Sequence, residues 1–337
     1  QQKRIASLKP MDENVLEHTI GYEQLAVDLT ANLALSEKND YVRRQLNFAL
    51  LEDFDHLYRY ADLMELEKSG DPARLVGDYT EIMPGRPTVA EYRHPYDDVK
   101  FNINNYLNEP LTRLHINIIT AAEQQTMNYY MNVGNLYTGE LGRKLYNEIA
   151  MIEEQHVTGY ESLKDSSCTP FENLVMNEYT ECYLYYSCYE DETDARIKNI
   201  WEQHFTEEVA HLHRAAELLK KYEGKVWQQL FPEGGEFPEL LRFRSQKDYV
   251  REVLKSVRMT AVEEGFRELA ALPDNFRYFN YNKAINGNIA SVGTHSVINR
   301  AISEFGKDYR IEDAAHPIAA LAGRTKDNTD VGRVKDA

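Results

Sequence analysis

The sequence predicts an all-α protein, an up-down helical bundle built from three helical hairpins plus a C-terminal helix and an irregular tail. Three observations lead there. From about Met11 to Lys221 apolar residues recur at three- and four-residue intervals, the spacing of a helix that buries one face. Strong breakers cut this stretch into lengths suited to long helices. One pattern of acids and histidines then occurs three times at a fixed spacing.

The elements follow from the breakers in order. Ser36 to Asp40 separates helix 1 from helix 2, and Ser69-Gly70-Asp71-Pro72 ends the first hairpin, 11–69. A crossover, 70–109, carries Pro84, Gly85, Pro87 and Pro95. Pro110 suits the first turn of helix 3, where its missing N–H costs nothing. Gly134 to Gly139 separates helix 3 from helix 4 in the second hairpin, 110–164. Thr169 reads as a cap and Pro170 as the opening of helix 5; Glu190 to Asp194 leads into helix 6, closing the third hairpin, 170–222. These make one helical domain, 11–222. In the extension, 223–337, Phe231-Pro232-Glu233-Gly234-Gly235 is a break. A seventh helix is expected with Val250, Leu254, Val257, Ala261 and Phe266 on one face; from Pro273 on the pattern is weak, and the last dozen residues are polar.

The repeat aligns Glu23, Glu123 and Glu178. Thirty residues after each stands an acid, Asp53, Glu153 or Glu208, and three further on a histidine, His56, His156 or His211. The match extends to residues without metal chemistry: Arg43, Arg143 and Lys198; Leu46, Tyr146 and Trp201; Leu63, Leu163 and Leu218. On a helix, positions i and i+3 share a face, so each acid and its histidine point at one spot. The lone glutamate on the preceding antiparallel helix lies near the same depth. Two hairpins packed face to face then offer four carboxylates and two imidazoles, a set suited to two divalent ions. Oxygen-rich ligation with one imidazole per ion suits iron or manganese, or a mixed pair, better than structural zinc. Composition alone gives roughly one or two [Asp/Glu]-x-x-His matches, and the chain has five. Glu91-x-x-His94 and Asp313-x-x-His316 precede a proline, which disfavours helix there, and are read as accidental.

On these motifs, from about Asn14 to Lys221, the chain resembles the ferritin-like di-iron carboxylate superfamily, with rubrerythrin-like proteins the nearest comparison. The resemblance implies a four-helix bundle whose dinuclear site meets dioxygen or hydrogen peroxide. Glu181, one turn after Glu178, is similar to an additional carboxylate of rubrerythrins. The departures are a third hairpin, Asp53 where a glutamate is usual, with Glu52 an alternative ligand, and no cysteine-rich electron-transfer module. A long crossover lets hairpins 1 and 2 run antiparallel around one site, whereas the short loop Asp165–Thr169 turns helix 5 straight back beside helix 4. The favoured set is therefore Glu23, Asp53, His56, Glu123, Glu153 and His156. Hairpins 2 and 3 carry the better acids, and hairpin 3 has hairpin 1 or a second subunit as further partners. Tyr60 and Tyr160, one turn beyond the histidines, are candidates for a hydrogen bond or electron relay, though packing is commoner for such tyrosines. His204 and His213 read as ordinary histidines, Glu154 and Glu207 as exposed.

A formal net charge of -17 repels nucleic acid and anionic membranes. Three cysteines without a C-x-x-C pair build neither a disulfide framework nor a thiolate metal site, which fits a reducing compartment. With no signal peptide or spanning segment in view, a cytoplasmic protein and a homo-oligomer are expected. The functional expectation is a non-haem dinuclear-iron oxidoreductase supplied by an electron donor. An iron-binding, storage or sensing protein and a structural protein with a vestigial site are the alternatives.

Overall fold

The structure is a computed structural model and describes residues 1–77, 80, 93–254, 266–268, 271–286 and 293–306. Its described residues form helices and no strand. In chain order the helices are α1 (Gln2–Ala6), α2 (Val15–Ser36), α3 (Asp40–Glu67), α4 (Pro72–Val76), α5 (Pro95–Asp98) and α6 (Pro110–Leu136). Then come α7 (Glu140–Ser162), α8 (Pro170–Asp191), α9 (Ala195–Glu223), α10 (Lys247–Leu254), α11 (Arg277–Asn286) and α12 (Gly293–Phe305).

Local chemistry sets the ends of the long helices. Asn14 and Glu17 form a reciprocal capping box at the start of α2, and Thr169 and Glu172 form another at α8. Asn39 and Asp194 each accept two backbone N–H groups at the starts of α3 and α9. Pro110 and Pro170 occupy first-turn positions, as read from the sequence. Gly224, at φ +68°, stops α9 in the left-handed region that glycine enters without strain.

Consecutive long helices pack along their lengths as three pairs, α2 with α3, α6 with α7, and α8 with α9. The first two pairs come together, α2 beside α6 and α3 beside α7. The third pair touches the rest chiefly through α8 on α6. Two apolar clusters fill the assembly. One holds Leu50, Phe54, Leu57, Tyr130, Leu145 and Ile149, the other Leu33, Leu46, Leu114, Ile119, Tyr160 and Leu163. On α6 and α7 the interval between the clusters carries the acids and the histidine.

Several boundaries differ from the sequence reading. Helix α2 opens at Val15 rather than near Met11, because Asn14 supplies the cap. Helix α6 runs through Gly134 to Leu136, since a lone glycine weakens a helix without ending it. Of the expected seventh helix only α10 is described; Val257 and Ala261 lie outside the described residues, and Phe266 leaves the helical region at φ +44° to pack on Phe48. The weakly patterned extension contributes α11 and α12, and α12 lies against α3 and α7. A Cβ at Gly293 would stand 2.7 Å from backbone atoms of Leu145, so only glycine lets α12 approach that closely. There Thr294 donates its N–H to the buried Glu148 on α7, at 2.5 Å. Glu91, Asp313 and His316 lie outside the described residues, whereas His94 caps α5 by accepting the Tyr96 N–H. No described helix is long and apolar enough to cross a membrane.

Candidate metal centre

Four helices each send acids or histidines to one place. Glu23 comes from α2, Asp53 and His56 from successive turns of α3, Glu123 from α6, and Glu153 and His156 from α7. All six residues are at most 1% exposed. His156 Nδ1 stands 3.4 Å from Asp53 Oδ1, 3.5 Å from Glu123 Oε2 and 3.2 Å from Glu153 Oε2. His56 Nδ1 stands 2.9 Å from Glu153 Oε1 and 4.0 Å from Glu23 Oε2. The six therefore divide into two overlapping groups, Asp53–Glu123–Glu153–His156 and Glu23–His56–Glu153, each with its ligand atoms within 4.8 Å of one another. Glu153 belongs to both and turns one oxygen toward each histidine. The histidine rings stack loosely, 6.0 Å between centroids.

A surrounding ring of side chains fixes these orientations. Thr30 donates to Asp53 Oδ2 at 3.2 Å, and the Tyr130 hydroxyl donates to Glu23 Oε1. His156 Nε2 bonds Glu52 Oε2 at 2.9 Å, which leaves Nδ1 toward the acids. Glu52 is in turn held by the buried Arg93, whose guanidinium also pairs with Asp98. Glu52 is thus not among the clustered ligand atoms: it points away from Asp53 and serves the outer nitrogen of His156, as carboxylates do behind metal-bound imidazoles. His56 has no equivalent support, because Ile152 occupies on α7 the position that Glu52 occupies on α3.

Charge is the main physical problem of the cluster. Four carboxylates face two imidazoles in a buried space, so negative charge is in excess even with both rings protonated. Burial, then the charges of Glu153, Asp53 and Glu123, raise the Glu23 carboxyl well above its usual range. Burial and Asp53 do the same to Glu123. Burial and Glu153 push Asp53 up to about 7. Glu153 goes the other way: burial opposes its ionisation, but His56 and His156 together outweigh burial and hold it well below the usual range. Both imidazoles are raised, because the carboxylates overcome the burial that would discharge them.

Five of the six also carry a buried ligand atom without a hydrogen bond: Glu23 Oε2, Asp53 Oδ1, Glu123 Oε1, Glu153 Oε2 and His156 Nδ1, the last meeting Asp53 and Glu153 only at ion-pair distance. His56 meets the acids through Nδ1, and its unbonded atom is the other ring nitrogen, Nε2. Buried polar groups are ordinarily satisfied, and five such atoms in one place call for an occupant. Two divalent cations match the donor set: with neutral imidazoles, their four positive charges balance the four carboxylates. On orphaned donors and charge, the residues fit such a pair.

The remaining candidates lie elsewhere. Glu178, Glu208 and His211 form a separate triad on α8 and α9, and Glu181 sits one turn along α8. Tyr60 and Tyr160 are fully buried. Tyr60 packs 5.3 Å from Tyr130 and 4.8 Å from Tyr146, and Tyr160 lies 6.5 Å from the His156 ring. Neither hydroxyl has a hydrogen-bond partner, unlike the satisfied hydroxyls expected of packed tyrosines. Glu154 is exposed, Glu207 pairs with Arg4, His213 is exposed and His204 is buried. Arg93, Tyr130 and Thr30 were not singled out in the sequence. Arg93 sits in the irregular crossover, where no periodicity marks it, and Tyr130, seven residues beyond Glu123, shares its face of α6 without any motif.

A cleft of about 120 Å³ opens between α2 and α6 and reaches Glu123. Leu25, Ala26, Leu29, Ile119 and Ala122 give it mostly apolar walls. Comparison with known proteins yields no match: no family model, no curated protein and no solved structure resembles the chain significantly.

Proposed function

We propose that this chain is a ferritin-like di-iron carboxylate protein, a non-haem oxidoreductase that reacts with dioxygen or hydrogen peroxide. The observation that carries the reading is the set of buried ligand atoms without hydrogen bonds on Glu23, Asp53, Glu123, Glu153 and His156, with His56 Nδ1 beside them. Manganese fits the same oxygen-rich donors, and iron is chosen for its redox chemistry.

Bound ferrous ions would supply the electrons and the open coordination positions that an oxidant needs. The protein's own contribution is positional. Glu153 spans the two groups and keeps them at a fixed separation. Tyr130 holds a proton on the outer oxygen of Glu23, and the Arg93–Glu52 pair holds His156 in one orientation. The apolar clusters exclude bulk water, while the cleft at Glu123 leaves a small, weakly polar molecule a way in. An external donor returns the electrons.

The test is anaerobic loading of the full chain with ferrous iron, followed by air or hydrogen peroxide. About two ions should bind in the buried cluster, and ferrous iron should disappear faster than in protein-free buffer, as read by a ferrous-specific chelator. Binding of both ions with inertness to both oxidants would remove the enzymatic reading and leave sequestration. Retention of no ion by the cluster would remove the metal reading altogether.

A further inference from the structure

The third pair of helices carries chemistry that the buried cluster does not use. Glu178 on α8 and Glu208 and His211 on α9 bring ligand atoms within 4.8 Å of one another. His211 Nδ1 lies 2.9 Å from Glu208 Oε2 and 3.9 Å from Glu178 Oε2. The two distances match those from His56 to Glu153 and to Glu23, 2.9 and 4.0 Å, although Glu208 lies on the helix of His211 itself whereas Glu153 reaches His56 from another hairpin. The setting differs. The His211 side chain is 58% exposed and Glu178 22%, while Glu208 is only 6% exposed. Few residues of α9 are buried, namely His204, Glu208, Ala215 and Leu219, so the triad lies at the surface of the assembly.

A second observation points to a ligand. His204, one turn before Glu208 on the same face of α9, is fully buried, and neither of its ring nitrogens has a hydrogen-bond partner. Burial and then nearby positive charge, Arg4 included, lower its pKa, while Glu207 and Glu208 pull it upward, and its ring packs edge-on against Tyr185 and Trp201. Glu181 adds another carboxyl beside Glu208, raised by burial and then by that neighbour's charge. A surface salt bridge would not need this composition.

We infer that Glu178, Glu208 and His211 form a third cation site, separate from the buried cluster, that takes a single first-row divalent metal ion. Two carboxylates and one imidazole favour manganese, iron, cobalt or zinc over calcium or magnesium, which prefer all-oxygen shells. Gln1 donates its side-chain amide to the other oxygen of Glu208, but the exposed His211 leaves positions open to solvent, so this ion exchanges freely with the medium, whereas ions in the buried cluster exchange slowly.

Cobalt(II) titration of the full chain, with bound metal counted after removal of free ion, tests the assignment. Wild type should bind about three ions and release one of them to a chelator first. The double variant Glu208→Gln, His211→Ala should lose that fast-exchanging ion, with at least tenfold weaker binding. It should keep its thermal midpoint, because His211 is exposed and glutamine preserves the shape of Glu208. A Glu153→Gln variant separates this inference from the proposed function, since it should weaken the buried ions and leave the fast one. Equal numbers of fast-exchanging ions in wild type and double variant would overturn the inference, even if the buried cluster fills as proposed.

Discussion

Replacing Glu123 by glutamine distinguishes a metal site from a buried ion-pair network, because the two give opposite signs in the metal-free protein. The Glu123 side chain is 2% exposed and faces Asp53 and Glu153, with a single imidazole, His156, 3.5 Å away. Two like charges and one opposite charge leave a net repulsion equivalent to one like-charge pair. At about 4 Å and an effective dielectric constant of about 20 this amounts to roughly 4 kcal/mol. Proton uptake, which the raised Glu123 already favours, relieves about half of it. Glu123→Gln should therefore stabilise the metal-free protein by about 2 kcal/mol, a rise of about 3 °C in thermal midpoint for a chain of 337 residues. With divalent metal present the order should reverse. An ion at a hundred times its dissociation constant adds about 2.7 kcal/mol to wild type, and the variant forfeits most of that. Calorimetry of both proteins, stripped with a chelator and then reloaded, supplies the four midpoints. If the stripped variant is less stable than wild type, Glu123 is the partner of an imidazole rather than a ligand awaiting an ion, and the reasoning fails.

Three further outcomes follow from the same structure. Arg93→Met should cost about 3 kcal/mol in urea denaturation, since it strands the buried Glu52, and it should weaken metal binding about tenfold by releasing His156; adding Glu52→Gln should recover most of the stability but not the affinity. Tyr60→Phe removes a buried hydroxyl without a partner, so stability should stay level or rise by about 0.5 kcal/mol with iron oxidation unchanged, and slower oxidation would instead mark Tyr60 as an electron relay. Asp28, pushed up to about 7 by burial, binds its proton more tightly in the folded chain, so its ionisation costs stability as pH rises from about 4 to 7. Asp28→Asn should therefore gain about 2 kcal/mol on wild type at pH 8 and almost nothing at pH 4, as compared by urea midpoints, and a constant difference across that range would contradict the assignment.

Much of the site was legible before any coordinates because its ligands obey helical arithmetic. Offsets of three residues within α3, α7 and α9 put acid and histidine on one face in any fold that keeps those helices. A cap such as Thr169 acts on its own next few residues, so it too was readable locally. What depended on distant partners was not. The orientation of Glu52 is set by Arg93, forty-one residues away in a segment without regular pattern. The seating of α12 on α7 rests on one glycine and one buried glutamate that no periodicity marks.

The amino-acid order alone determined that long helices form, where most of them start, and that three acid–histidine sets of one spacing lie along them. Loop lengths already favoured the first two sets as partners, but only the tertiary structure decided that they share a buried interior while the third stands at the surface. The physical reason is that helix formation and i, i+3 geometry are local, whereas burial depends on which apolar faces meet. α2, α3, α6 and α7 cover one another's ligands, whereas those of α9 are covered by α8 and by Gln1, which donates to Glu208.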